Sequence, residues 1–565
     1  MGKRKMKTKK IFAILLVASL SFIMFSGCIG EKEETPTPTA QPTTAAPTEK
    51  NLTVAQKDLD TLYIATIQEP TTLDPAAVYD GSDRATTQIY EGLTQFKGST
   101  IEVIPCLATS WDISPDYKEY TFYLRKGVTF SDGTPFNADA VKFSYDRMMK
   151  LKKGLAWAFN LVLERVEVID EYTVKFFLKD SYPAFLSMTA SRYGAPILSP
   201  SVMKHEVNGD LAHGWLYDHA IGTGPYMLKE WKFGEEYVLV KNPNYWRGWE
   251  GKHVNKIVFK IVPEPSTQKL LLEKEEIDTA THISIDDLAE LAKNPEFKLV
   301  SSKPGESMFN FFVLMNTRKG PLQNKKLREA LSYAFPYEDC IKYSFKGFAT
   351  QALGPLTPST PCHKSDIFQY HRDIEKAKEC LREAGVDQDG DGKVDGGMTL
   401  SIAYMSGQDW AMKILDVLTA ACQELGISLQ PKPLTWSAMM DNLVSQETAP
   451  DLNIADWWPD YPDPDSFLTG MCEYYFWGGR EEKDYFYYNK DLVQILSKAA
   501  FLPDLDERCS LYKEAQEILV EDCPAIWVLD LKFTTPLRKE VHGFVFNPMK
   551  TMTYNCYDMW KEPEA

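Results

Sequence analysis

The sequence predicts an α/β protein of about three lobes, exported behind a membrane-directed leader, and three observations lead there. Helical patterns alternate with short β-branched runs such as Ile257 to Val262 and Phe309 to Leu314, the mark of α/β lobes. The chain has 565 residues, more than one core holds at roughly 150 residues per domain. Its front carries Lys3, Arg4, Lys5, Lys7, Lys9 and Lys10, then an apolar run from Ile11 to Phe25, then Ser26-Gly27-Cys28. That order is a basic region, a hydrophobic region and a small-residue cleavage site.

The leader is taken as residues 1–27. It resembles a lipoprotein signal, with Phe25-Ser26-Gly27-Cys28 as the lipobox and Phe25 where Leu is usual; Cys28 would then carry lipid and become the first mature residue. An uncleaved anchor over Ile11 to Gly30 is the alternative, since 20 residues can just span a bilayer. Either arrangement tethers the body to the outer face of the cytoplasmic membrane. Residues 28–57 include a Thr, Pro and Ala run that cannot build a core and reads as an extended spacer. Removing the leader takes the formal net charge from −17 to about −23, which argues against nucleic acid or anionic lipid as a partner.

The body opens on the strand Thr61 to Thr66, which ends at Gln68-Glu69-Pro70. A helix follows from Asp83. Pro105 to Met148 then reads as strand, turn, strand, a turn at Asp132-Gly133, and a helix capped near Asn137. Farther on, Asp387 to Asp395 is DQDGDGKVD. Asp387, Asp389, Asp391 and Asp395 occupy the first, third, fifth and ninth places of an EF-hand-like loop, with Gly392 sixth. Met398 stands where the bidentate acid belongs, and MTLSIAYM reads as a strand in place of the second helix. A solvated acidic turn is therefore the first expectation, with a calcium ion that stiffens the lobe as the alternative; no cofactor is required.

Trp457 to Leu468, WWPDYPDPDSFL, is a poor helix, because Pro459, Pro462 and Pro464 lack the donor a helix interior needs. It reads as a rigid loop after a strand over Asp451 to Asp456, placing Trp457, Trp458, Asp460 and Tyr461 at a strand's carboxyl end. Aromatic faces around a carboxylate suit a ligand with a cation and a mixed polar and apolar body. The alternative is a turn whose tryptophans plug the nearby core.

Apart from Cys28 there are nine cysteines, with no CxxC and no regular spacing, so a zinc site is not expected. Cys340 with Cys362, or Cys509 with Cys523, are local disulfide candidates, and connectivity stays open. HExxH, G-x-S-x-G and the Walker phosphate loop are absent from the sequence, so no local enzyme signature argues for catalysis.

Several segments in series carry a family resemblance: Pro105 to Met148, GTGPYMLKEW at Gly222 to Trp231, KNPNYW at Lys241 to Trp246, NKKLREALSYAF at Asn324 to Phe335, DIEKAKECLREAG at Asp373 to Gly385, and the loop at Trp457. Together they resemble the family 5 extracellular solute-binding proteins of ABC importers, the peptide and nickel group, over essentially all of residues 58–565. The resemblance implies a two-lobed, hinged periplasmic-binding-protein fold enlarged by a third domain. It divides the chain into lobe I (58–90, 216–305 and 526–565), domain II (91–215) and lobe III (306–525), with hinges near 303–307 and 523–528. It implies a monomeric peptide receptor, not an enzyme, that delivers its ligand to a permease and ATPase on other chains. Ligand contacts are expected from Asp460, Trp457, Trp458, Tyr461 and Glu69. Asp460 falls in the place where an acid of peptide-binding members receives the ligand's α-ammonium group. A nickel chelate or an oligosaccharide, with Trp477 among the stacking rings, is the alternative ligand; an extracellular hydrolase or sensor is the reading from a different class.

Overall fold

The computed structural model describes residues 58–193, 196–443, 448–471 and 486–563. The leader, Cys28, the spacer and Trp477 lie outside the described residues. Among the described residues no helix is long and apolar enough to cross a membrane.

The first strand, Thr61–Thr66, sits near the middle of a seven-stranded sheet. It pairs in parallel with Lys256–Ile261 on one side and Thr279–Ala280 on the other. Phe297–Ser301 and Thr534–Arg538 extend one edge, and the hairpin of Tyr226–Lys232 and Glu236–Lys241 extends the other. A second, six-stranded sheet runs in the order Ala349–Gln351, Ala525–Leu531, Asn310–Met315, Leu452–Trp457, Met398–Met405, Ile427–Leu434. A third sheet is antiparallel, formed by Ala108–Ile113, Glu119–Leu124, Thr173–Leu178 and Leu163–Asp170.

Burial on both faces explains why the central strand of the second sheet, Asn310–Met315, reads as an unbroken apolar run. Side chains alternate across a strand, so Phe311, Val313 and Met315 enter a core beneath the helices Lys325–Ala334 and Asp409–Glu424, while Phe312 and Leu314 enter the opposite core. In the third sheet's layer, Asn137 caps the helix Ala138–Leu151 by accepting from the Ala140 N–H at 3.1 Å, as its residue type predicts.

The chain passes between the first and second sheets twice. Ser302 to Phe309 joins Phe297–Ser301 to Asn310–Met315, and Lys532-Phe533 joins Ala525–Leu531 to Thr534–Arg538. The two passages lie against each other, with the Ser302 N–H donating to the Phe533 carbonyl at 2.8 Å. Because Ala525–Leu531 is hydrogen-bonded within the second sheet, a boundary at 526 and a hinge at 523–528 would cut that strand. The second passage is corrected to Lys532-Phe533. A further link joins the two lobes at the surface: Asp286, on the helix Ile285–Leu291 beside the first sheet, pairs with Lys413 at 2.7 Å and Lys346 at 3.4 Å on the second lobe's side. Exposed pairs of this kind contribute up to about 1 kcal/mol, enough to change an open-to-closed ratio about fivefold. Asp286→Asn is therefore expected to enlarge the ligand-free radius of gyration in small-angle scattering. An unchanged radius would mean the pair does not bias closure.

The disulfide differs from both local candidates. Cys362 is joined to Cys509, 147 residues away, with Cα atoms 4.9 Å apart, while Cys340 and Cys523 are buried thiols. Sequence proximity misleads here because the helix Leu505–Asp522 packs back across the segment that holds Cys362, with Gln516 donating to the Cys362 carbonyl at 2.9 Å.

Candidate functional site

The strand Leu452–Trp457 ends one residue later than its sequence suggests, so Trp457 is its last residue and the loop begins at Trp458. The loop expected through Leu468 stops at Asp463: Pro464 starts a short helix, Pro464–Thr469, because a proline at the first helical position gives up no needed donor, and Asp463 caps it by accepting from the Asp465 N–H. The Asp463 carboxylate is also gripped by both Nη atoms of Arg508, at 2.9 and 2.6 Å, and Arg508 Nε donates to the Ala499 carbonyl at 3.0 Å. This buried two-point pair ties the loop to the helices behind it. On its other side, Asp465 accepts from Thr469 at 2.6 Å, from Tyr461 at 3.1 Å and from Tyr182 of the third sheet's layer.

Asp460 stands where three parts of the chain meet. The Tyr79 hydroxyl donates to Asp460 Oδ2 at 2.9 Å, the Ser191 hydroxyl donates to its backbone carbonyl at 2.9 Å, and its own N–H donates to Ser466 Oγ at 2.9 Å. Oδ1 carries no hydrogen bond among the described residues. Arg192 lies near but is engaged elsewhere, with Nε 3.1 Å from Asp83 and Nη1 donating to the Thr551 carbonyl at 2.9 Å. Burial pushes the Asp460 carboxyl up to about 6, opposed by the Tyr79 hydrogen bond and the Arg192 charge. The site is a desolvated carboxylate with one oxygen held and one available. That arrangement suits an ammonium group better than a neutral ligand.

The remaining candidates are dispersed. Trp457 is buried in the core with Phe312 and Leu314, and a Cβ at Gly470 would come within 2.8 Å of its ring. Trp458 is half-buried and packs edge-on against Phe309 at 4.8 Å between ring centres. Tyr461 enters the core of the third sheet's layer, its hydroxyl 2.9 Å from that of Tyr182. Glu69 accepts from Trp231 Nε1 at 3.1 Å and the Gly234 N–H at 2.9 Å, which ties it to the edge hairpin of the first sheet. In the acidic loop, carboxylate oxygens of Asp387, Asp389 and Asp395 lie within 4.8 Å of one another. Asp391 stands outside that group and accepts from the Lys393 N–H at 2.8 Å. Gly392 has φ +83°, as the tight turn requires, and the next element is the strand Met398–Met405.

Residues that sequence reading missed include Tyr79, Ser191, Arg192 and Arg508. Tyr79 and Asp460 are 381 positions apart, so no local pattern links them.

Two sheeted lobes joined by paired crossings, with a third layer alongside and a buried carboxylate at their junction, define a solute-binding protein of the periplasmic type. The chain belongs to the bacterial extracellular solute-binding proteins, family 5, whose middle-region model matches residues 102–478. It is 32% identical over 515 residues to the "Probable D,D-dipeptide-binding periplasmic protein DdpA" of Escherichia coli (strain K12), covering 89% of this chain and 94% of the relative. Among solved structures it is similar to the periplasmic binding protein DppA of Helicobacter pylori in complex with the peptide STSA, with a TM-score of 0.74 and 28% identity, covering 89% of this chain and 98% of that one. It is also similar to NikZ of Campylobacter jejuni in complex with Ni(L-His), with a TM-score of 0.74 and 25% identity, over 89% and 100% of the two chains.

Proposed function

We propose that this protein is the peptide receptor of an ABC importer, lipid-anchored through Cys28 on the outer face of the membrane, without catalytic activity of its own. It captures a di- or oligopeptide between lobes that close about the two crossings and presents it to a permease. Asp460 receives the peptide's α-ammonium. The observation that carries this reading is the buried Asp460 carboxylate, held by Tyr79 through one oxygen and open at the other. The peptide-binding relatives support it. Native mass spectrometry of freshly purified protein tests it: copurified peptides are expected, while a nickel chelate or an oligosaccharide would replace the ligand and leave the receptor class standing. Turnover of any bound substrate would overturn the receptor reading.

Calcium is proposed at Asp387, Asp389 and Asp395, where it would stiffen the second lobe rather than meet the ligand. Added calcium should then raise the melting temperature of the parent protein, since a ligand bound only to the native state stabilises it. Asp389→Ala should abolish that rise. No calcium effect on the parent would refute the site.

A further inference from the structure

Asp456 is four residues before Asp460, is half-buried, and lacks the cation that several buried acids of the protein have. Asp74, Asp278 and Asp463 each have a cation, namely Arg147 at 2.6 Å, Lys561 at 2.9 Å and Arg508 at 2.6 Å. Asp456 has none. Among the described residues no other group donates to its carboxylate; only its own backbone N–H supports the charge, and burial pushes the carboxyl up to about 7. Yet it keeps some solvent exposure between neighbours, Ala455 and Trp457, that are buried.

Its surroundings are aromatic. Asp456 is paired in register with Phe311, and cross-strand partners share a face, so its side chain lies beside that ring. Phe309 is 4.6 Å from Phe311, Trp410 is 4.6 Å from Phe311, and Trp458 is 4.8 Å from Phe309, all between ring centres. Trp410 and Trp458 are both partly exposed. A carboxylate beside ring faces and without a counter-ion is an unfavourable arrangement until a cation enters, and then both the charge and the rings act on it together. Lys413, on the helix that carries Trp410, does not supply that cation, since it pairs with Asp286 at 2.7 Å and approaches Asp409 at 3.8 Å. From the first lobe, Ile285 packs on the large core cluster that also contains Phe309 and Phe311.

We propose that Asp456, with Phe309, Phe311, Trp410 and Trp458, forms a second cation subsite that takes the ammonium or guanidinium side chain of a bound peptide. The proposal rests on the peptide-receptor reading and adds a preference for basic residues. Four residues of chain span at most about 13 Å, so both carboxylates are within reach of one extended peptide carrying its α-ammonium at Asp460 and a lysine or arginine one or two residues later.

Titration calorimetry with two pairs of tripeptides tests it: Ala-Lys-Ala against Ala-norleucine-Ala, and Ala-Ala-Lys against Ala-Ala-norleucine. Norleucine keeps the apolar stem and removes the charge. In at least one pair, the lysine peptide is expected to bind the parent about tenfold tighter or better. Asp456→Asn should erase that preference while leaving norleucine-peptide affinity unchanged or higher. Equal affinities within both pairs for the parent, or a preference that survives Asp456→Asn, would overturn the subsite and leave the peptide receptor intact. If neither pair binds at all, the peptide reading falls and the subsite with it. The parent comparison decides the matter even if the variant does not fold.

Discussion

Asp460→Asn is expected to weaken peptide binding at least about a hundredfold. The reason is the cost of the missing partner: a peptide ammonium brought into this desolvated junction would face a neutral amide in place of a carboxylate. Removing one member of a buried charge pair typically costs about 3–5 kcal/mol, or roughly two to nearly four decades in affinity. N-acetylated peptides should bind the parent protein comparably poorly, because acetylation removes the same contact from the other side. The two changes should not add, since either alone abolishes the pair. Titration calorimetry on the four combinations checks this. Harmless acetylation would mean the ligand is not held by its amine, and a chelate or sugar ligand would then take precedence.

The same contact fixes a pH dependence. With the Asp460 carboxyl pushed up to about 6 by burial, the empty site is protonated below that pH, and an ammonium must then displace a proton to bind. Affinity is expected to be highest between about pH 6 and the peptide's own α-amino pKa of about 8, and to fall by about tenfold per unit below pH 6. Asp460→Asn should remove that slope together with the affinity.

Arg508→Met is the substitution expected to cost most in stability, about 3–5 kcal/mol, because it leaves the Asp463 carboxylate buried without its cation. The consequence reaches the binding site. Asp463 caps the helix Pro464–Thr469, and that helix carries Ser466, the acceptor for the Asp460 N–H. Adding Asp463→Asn should recover a large part of the loss, since Asn still caps a helix and carries no charge to strand. Denaturant unfolding of the single and double variants measures both effects. A single-variant cost under about 1 kcal/mol would show that the pair is not the anchor of the loop.

The alternation of helices and β-branched runs, the cap at Asn137 and the loop over Trp458 to Asp463 were legible from sequence, because each depends on residues within a few positions of one another, whereas the helix Pro464–Thr469 was not. Asp460 was legible for the same reason: it lies in a compact segment whose pattern carries a family resemblance. Its neighbours were not. Tyr79, Ser191 and Arg192 reach it from parts of the chain that the fold alone brings near, and nothing in their local sequence marks them. The aromatic residues of the loop divide for a related reason. Period-two alternation sends Trp457 to one core and Asp456 to the other face, and the pattern cannot say which face stays open.

By itself, then, the sequence determined the class of fold and the acidic, proline-rich segment, both of which follow from local propensity and short-range pattern. Tertiary structure decided the rest: the pairing of Cys362 with Cys509, the second crossing at Lys532-Phe533, the loop's anchor at Arg508, and the contrast between Asp460, held by Tyr79, and Asp456, which among the described residues is supported only by its own backbone N–H. The physical reason is that burial and partnership of a charge are properties of the space around it. That space is filled by segments hundreds of residues away, whose arrival depends on how the sheets close over their cores.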